Sequence, residues 1–311
     1  MLSRRWVARI VLITVLFMPA GLLSLAGPGL AAARPGGVAG RGARASLAAG
    51  PATAAGIRSA ARQPAPLVAS SGLARSKRGL PAPPMTSAML MANAAKQIMA
   101  RAFLRAAGNH AGPDGKCASR ACRSGLPTAL NLEGSQQPQQ TDYYCGPATV
   151  SEMLSQVGVK VSQSKAAREL KTTPGGTDWS DSRGFPVPNT LNADQQRNAY
   201  VAVALPWSPT SAQIRTYEND LVTDINRNGG APLAGNAYEV PGGPHLVGHP
   251  ENQAISHWFD IRGYSNSGAI TDYEDSVHGA SSIGWSAAVP AYSALSSSTI
   301  VNILGARGYD W

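Results

Sequence analysis

The sequence predicts an α+β fold in which an antiparallel sheet packs on a helix headed by Cys145, and three observations carry that expectation. From Ala148, ATVSEMLSQVG places Val150, Met153, Leu154 and Val157 at the i, i+3, i+4, i+7 spacing of one buried helical face. From His257, HWFDIRGY alternates: His257, Phe259 and Ile261 fall on one side and Trp258, Asp260 and Arg262 on the other, the period of a strand with one buried face. Helical patterns come first and strand patterns follow, the order of an α+β chain rather than of repeated βα units.

Residues 1–33, MLSRRWVARIVLITVLFMPAGLLSLAGPGLAAA, set three arginines before an apolar run and close on Ala31-Ala32-Ala33, the layout of an export signal with a small-residue cleavage site. The expected location is therefore secreted. Pro19, Gly21, Gly27 and Pro28 interrupt the run, and no later segment reaches the ~18 consecutive apolar residues of a span. No stable membrane span is expected once the signal is removed.

Residues 34–125 read as a basic low-complexity leader or pro-region. Through residue 130 the chain carries 17 Lys+Arg against one acid, Asp114; from 131 onward it carries 10 against 17. Basic stretches can bind nucleic acid, but this one is rich in Ala, Gly, Pro and Ser, with few aromatics to stack on bases, so no nucleic-acid partner is expected. Within it, 85–107 predicts an amphipathic helix with Leu90, Ala94, Ile98 and Leu104 on its apolar side and Lys96, Arg101 and Arg105 elsewhere on the surface. It reads first as a structured linker; as a basic helix upstream of an acidic domain it is also a candidate pro-segment lying across an acidic site until it is cut away.

Residues 126–311 make the folded domain. Pro147 suits the first turn of the helix that Cys145 opens. SQSKAARELKT follows as a second helix with Ala166, Ala167 and Leu170 inward, and 173–184 reads as a long loop. Residues 212–227 put Ile214, Tyr217, Leu221 and Ile225 on one face, and Asn228-Gly229-Gly230 ends that helix. APLAGNAYEV, HWFDIRGY and AITDYEDS then supply strands.

The chemistry centres on one cysteine. In an exported chain Cys117 and Cys122, in GKCASRACRSG, are close enough to pair locally, which leaves Cys145 alone. At a helix N-terminus, unpaired N–H groups and the helix dipole favour a thiolate, so Cys145 is the candidate nucleophile. A thiol nucleophile needs a base, a group to orient that base, and donors for the oxyanion formed on attack. Gln139, six residues upstream, can supply a side-chain donor beside the Cys145 N–H; Gln140 competes for the role. Of the five histidines, His110 lies in the leader and His278 in a polar loop. His245 and His249 have the spacing of a metal pair, but their Pro and Gly neighbours argue against the helix that would align them, and no metal or other cofactor is expected. His257 heads an apolar strand face and would reach a helix packed on that face. It is the candidate base.

Together QQTDYYCGPAT, the GGT of 175–177, HWFDIRGY and YEDS resemble the C39-like cysteine peptidases, a papain-like group whose best-known members remove double-glycine leaders from bacteriocin precursors. The resemblance covers roughly 131–311. It implies a papain-like fold, a Cys145 nucleophile, a His257 base, an orienting aspartate and Gln139 in the oxyanion hole, acting on peptide or protein substrates in a secreted stand-alone form, expected to be a monomer. It does not carry the leader-processing role, because those enzymes are usually fused to a transporter with a membrane bundle and nucleotide-binding loop that this sequence does not show. The same thiol–imidazole pair makes an acyl-enzyme whichever acceptor follows, so transglutaminase-like acyl transfer and a non-catalytic peptide-binding groove stand as alternatives.

Two aspartates compete to orient His257, Asp272 and Asp275. A hairpin turn centred on Asn266 and Ser267 sets Asp275 within one position of the point opposite His257 and Asp272 four positions from it, which favours Asp275.

Overall fold

The strand patterns between 231 and 276 pair into a sheet, and that sheet organises the other elements. The computed structural model describes residues 81–108 and 125–311, all within one unit spanning 61–311. The export signal, most of the leader with His110, and the Cys117–Cys122 loop lie outside the described residues. In order the chain forms α1 (Ser87–Ala107), β1 (Leu130–Asn131), α2 (Cys145–Gln156), α3 (Gln163–Leu170), α4 (Pro186–Asp194), β2 (Ala202–Ala204), α5 (Ser211–Asn226), β3 (Leu233–Glu239), β4 (Ile255–Ser265), β5 (Ile270–Glu274), β6 (Tyr292–Ser296), α6 (Ser297–Ile303) and β7 (Gly308–Asp310). The sheet runs β2-β7-β3-β4-β5-β6, every pair antiparallel, with β1 added beside the distal half of β4.

Helices cover both faces of the sheet. On one, α5 and α6 pack Tyr217, Leu221, Ile225 and Ile300 against Phe259 and Ile261. On the other, α2, α3 and α4 pack Val150, Met153, Leu154, Leu170 and Leu191 against Trp258. The expectation of a one-sided β4 is thus corrected: Trp258 and Asp260 are as buried as Phe259 and Ile261, because α2 lies over them. The predicted α2, α3 and α5 form with the inward residues expected of them. A reciprocal capping box between Thr210 and Gln213 starts α5, and Asn228, Gly229 and Gly230, all at positive φ, turn the chain after it. The loop at 173–184 is present, but α4, α6 and the short strands β2, β6 and β7 were not predicted.

The helix at 87–107 forms, with a different buried face. Leu90 and Ile98 are 53% and 61% exposed, whereas Lys96, Ala100 and Leu104 are buried. The reason is electrostatic. Asp220 and Asp224 of α5 face this helix, and Lys96 Nζ sits 2.8 Å from Asp224 Oδ2 with Gln97 donating to Asp220 at 2.6 Å. The Lys96 ammonium also lies 4.4 Å from the centre of the Trp311 ring. The acidic surface that receives the basic helix is therefore α5, with β2 beside it, while Cys145 belongs to the core on the other face of the sheet.

The β4–β5 hairpin also differs from its predicted register. Its loop is Asn266–Ala269, with Asn266, Ser267 and Gly268 at positive φ, and the register shifts between Ile261 and Gly263. Asp260 consequently pairs with Glu274, the last residue of β5, and His257 has no partner on β5. Across β3, His257 pairs with Ala237.

Candidate active site

The early end of β5 creates the site. Beyond the Asp260–Glu274 pair, the β5 side of residues 255–259 carries no strand, and the N-terminus of α2 fills that gap. The Cys145 thiol arrives there and accepts from the backbone N–H groups of Trp258 and Gly146. His257 was expected to meet a helix packed on its own face; α2 lies on the opposite face. The two side chains meet around the unpaired edge of β4. Gly146 permits this approach: a Cβ there would overlap Thr177 Oγ1 and come within 2.7 Å of Thr177 Cβ. Thr177 ends the GGT segment, and its carbonyl accepts from Trp258 Nε1 at 3.0 Å, fixing the loop over the helix start.

Asp275 lies just past β5, where the chain turns: its N–H bonds Ala291 O at 3.1 Å, and its Oδ1 accepts from Val277 N–H at 2.9 Å. The same oxygen is 3.0 Å from His257 Nε2, which leaves Nδ1 of His257 for the thiol. Asp275 therefore reaches His257, as chosen from the sequence, but from beyond the strand and not as its cross-strand partner. Asp272 pairs with Gly263, and its half-buried carboxyl is held by the Asn131 side chain.

The charges of the three groups reinforce one another. Burial alone would push the Cys145 thiol up, but the hydrogen bond and charge of His257, with the two N–H donors, bring it below the ordinary thiol range. Burial works against a charged His257, yet the Asp275 carboxylate lifts it well above the ordinary imidazole range. Asp275 in turn is held far below the usual carboxylate range, against its own burial, first by His257 and then by His249. The charged form of each group thus favours the charged forms of the other two in a buried site.

Gln139 is buried beside these groups. Its N–H bonds Ser276 O at 2.8 Å, its Oε1 accepts from Ser276 Oγ at 3.2 Å, and Nε2 donates to Thr141 O at 2.7 Å. Nε2 has a second hydrogen to offer. Gln140 is exposed and engages only through its backbone, to Gln163 Oε1. His278 binds Val289 O and His245 sits between Gly243 O and Gln253 O, so neither joins the thiol.

Sequence reasoning missed His249 and Glu239. The sequence offers His249 only as a partner of His245, yet its imidazole bridges Asp275 and Glu239. Period-2 counting along β3 puts Glu239 on the face of Ala237, opposite the His257 row, a signal that was available; the 240–254 loop carries no such signal for His249.

Among the described residues, two clusters have donor atoms spaced as for a metal: His249, His257 and Asp275, and Glu152, Asp260 and Glu274. In the first, the nitrogens facing the carboxylate are already engaged with it. The second is a buried carboxyl group of three between α2 and the sheet. Burial raises all three pKa values, Glu274 to about 7, and Arg262 Nε lies 3.4 Å from Glu274 without hydrogen-bond geometry.

An α+β fold with a buried thiol, imidazole and carboxylate aligned at the start of a helix defines a thiol-hydrolase-like site. The Peptidase C39-like family model matches residues 131–297, more than half of the chain, and the chain belongs to that family, one of cysteine peptidases. Among solved structures, the chain is similar to a Bacillus anthracis protein proposed to be a C39-like peptidase, at 13% identity and a TM-score of 0.36, with 59% of this chain and 97% of that one covered. No curated protein matches.

Proposed function

We propose that the chain is an exported cysteine peptidase that hydrolyses peptide bonds through Cys145, His257 and Asp275, with Gln139 and the Cys145 N–H receiving the oxyanion. The observation that carries this reading is the position of His257, bonded to Asp275 through Nε2 at 3.0 Å and to the Cys145 thiol on its other side. The thiolate attacks the scissile carbonyl, and charge builds on the oxygen within reach of the two donors. The imidazolium gives its proton to the departing amine, leaving an acyl-enzyme. Neutral His257 then takes a proton from water, whose oxygen attacks the acyl carbon; the C–S bond breaks, releasing the carboxylic acid product and regenerating the thiolate beside an imidazolium. Asp275 keeps the ring oriented through both steps. Export rests on residues 1–33, and the lack of a nucleic-acid partner rests on composition.

The test is a peptide library digested with the full chain and with Cys145→Ala. Wild-type cleavage that disappears in a folded Cys145→Ala protein supports the proposal; undiminished cleavage by the variant overturns it. An amine acceptor added to the digest separates hydrolysis from acyl transfer by the product formed.

A further inference from the structure

This inference rests on the thiol–imidazole reading above and concerns two residues outside it. The His257–Asp275 contact is the middle of a longer run. Asp275 Oδ1 takes His257 Nε2 and the Val277 N–H, while Oδ2 lies 3.0 Å from His249 Nε2. His249 Nδ1 lies 2.8 Å from Glu239 Oε2, and Glu239 Oε1 accepts the Leu246 N–H at 2.8 Å. The run Cys145–His257–Asp275–His249–Glu239 draws on α2, β4, the turn after β5, the 240–254 loop and the end of β3, and every member is buried.

Valence decides the state of its fourth member. A neutral imidazole has one N–H and one lone pair. Between two carboxylates, the lone pair would face another lone pair. Both contacts attract only if the ring carries both protons or a carboxyl is protonated. Asp275 and Glu239 each also accept a backbone N–H, the pattern of ionised acceptors. We propose that His249 is a fixed imidazolium and, with Glu239, forms a positioning pair that holds Asp275 in place and ionised behind His257.

The pair has a use in the reaction. Once His257 has given its proton to the leaving amine and the thiolate is consumed, Asp275 would be an uncompensated buried carboxylate, which draws protons. The His249 cation keeps it charged, so His257 can act next as a base without losing its orientation. Because Glu239 neutralises His249, the pair adds little net charge to the interior.

The sign of the electrostatic effect is fixed by geometry. The His249 and His257 rings are 5.4 Å apart. A cation there favours the thiolate and disfavours a second imidazolium. Removing it moves both edges of the reactive pH window upward. The other ionisable groups facing this run are Glu152 of α2, toward Asp275 and His257, and Tyr273 of β5, toward Asp275 and Glu239; neither is altered in the test.

The experiment is the rate of Cys145 alkylation by iodoacetamide from pH 4 to 10 in the full chain, followed on the Cys145 peptide by mass spectrometry, for wild type, His249→Gln and Glu239→Gln. Glu239→Gln is the sharper variant. Its amide donates to Nδ1, so a neutral His249 keeps both contacts, and the cation is removed with every hydrogen bond retained. Both variants are expected to move the acid edge up by roughly one pH unit, a tenfold loss of rate on that edge. A packing role alone predicts coincident edges for Glu239→Gln. Coincident edges, with a wild-type thiol reactive at neutral pH, overturn this inference and leave the proposed function standing. A wild-type thiol that reacts only at ordinary thiol pH overturns the parent reading and this one with it. Should His249→Gln lose its cooperative melting transition, Glu239→Gln decides alone.

Discussion

Replacing Lys96 by Met tests whether the helix at 87–107 is part of the folded domain. Lys96 is 3% exposed, pairs with Asp224 at 2.8 Å, and covers the Trp311 ring at 4.4 Å. At an effective dielectric constant of about 20, that pair attracts by roughly 6 kcal/mol, an amount largely offset by several kcal/mol of desolvation per ion. The pair is therefore worth little against an apolar replacement of both partners. Removing one partner is another matter: it strands a buried charge, at a cost of about 3–5 kcal/mol. Asp224 keeps its bond from Asn198 Nδ2 at 2.7 Å, and Met keeps the aliphatic stem, so the lower part of that range applies. Lys96→Met should cost about 3–4 kcal/mol and lower the melting temperature by roughly 6–16 °C. The assay is thermal and denaturant unfolding of the full chain, followed by tryptophan fluorescence. Lys96→Met with Asp224→Asn should recover most of the loss, because the stranded charge is gone. A loss below about 1 kcal/mol in the single variant, or no recovery in the double, would refute the argument that this buried pair fastens α1 to α5. Because the pair is buried, salt should change little, unlike the salt-sensitive docking expected of a surface pro-segment.

Asp275→Asn should lower kcat/KM by about 10³–10⁴, while Asp272→Asn should stay within a few-fold, since only Asp275 touches His257; peptide turnover by the two variants decides, and the reverse ranking sinks the assignment. The carboxyls of Glu152, Asp260 and Glu274 have raised pKa values in the folded chain, so their contribution to stability is complete below the unfolded carboxylate pKa and is lost as pH rises through the folded values, for Glu274 about 7. Unfolding free energy measured by denaturant should accordingly fall between pH 5 and 7.5, and Glu274→Gln should flatten that fall. Gly146→Ala should cost about 1–3 kcal/mol by pushing Thr177 away and should slow Cys145 alkylation, with Thr177→Gly restoring both; an unaffected single variant would show that the loop yields without consequence.

What the sequence determined by itself was local and periodic. The repeat in 148–157 is enough to form α2, because one apolar face has to leave water, and it places Cys145 at the helix start whatever else the chain does. Alternation in HWFDIRGY sets His257 on the Phe259 and Ile261 row, and the polar, glycine-containing stretch 265–268 requires a turn. Only the tertiary structure decided how these meet. Periodicity says that a face is buried but not what buries it, so the second covered face of β4 was invisible until α2 was laid over Trp258. A register shift between Ile261 and Gly263 moves strand partners without changing the pattern that predicts strands, and the end of β5 at Glu274 leaves Asp275 beyond the strand and the edge beside Cys145 open. Lys96 read as a surface residue, because a lysine belongs in a core only where a carboxylate far along the chain is brought to it, here Asp224. His249 and Glu239 came together for the same reason: a hydrogen bond across a sheet end depends on distance in space, and no spacing along the chain records it.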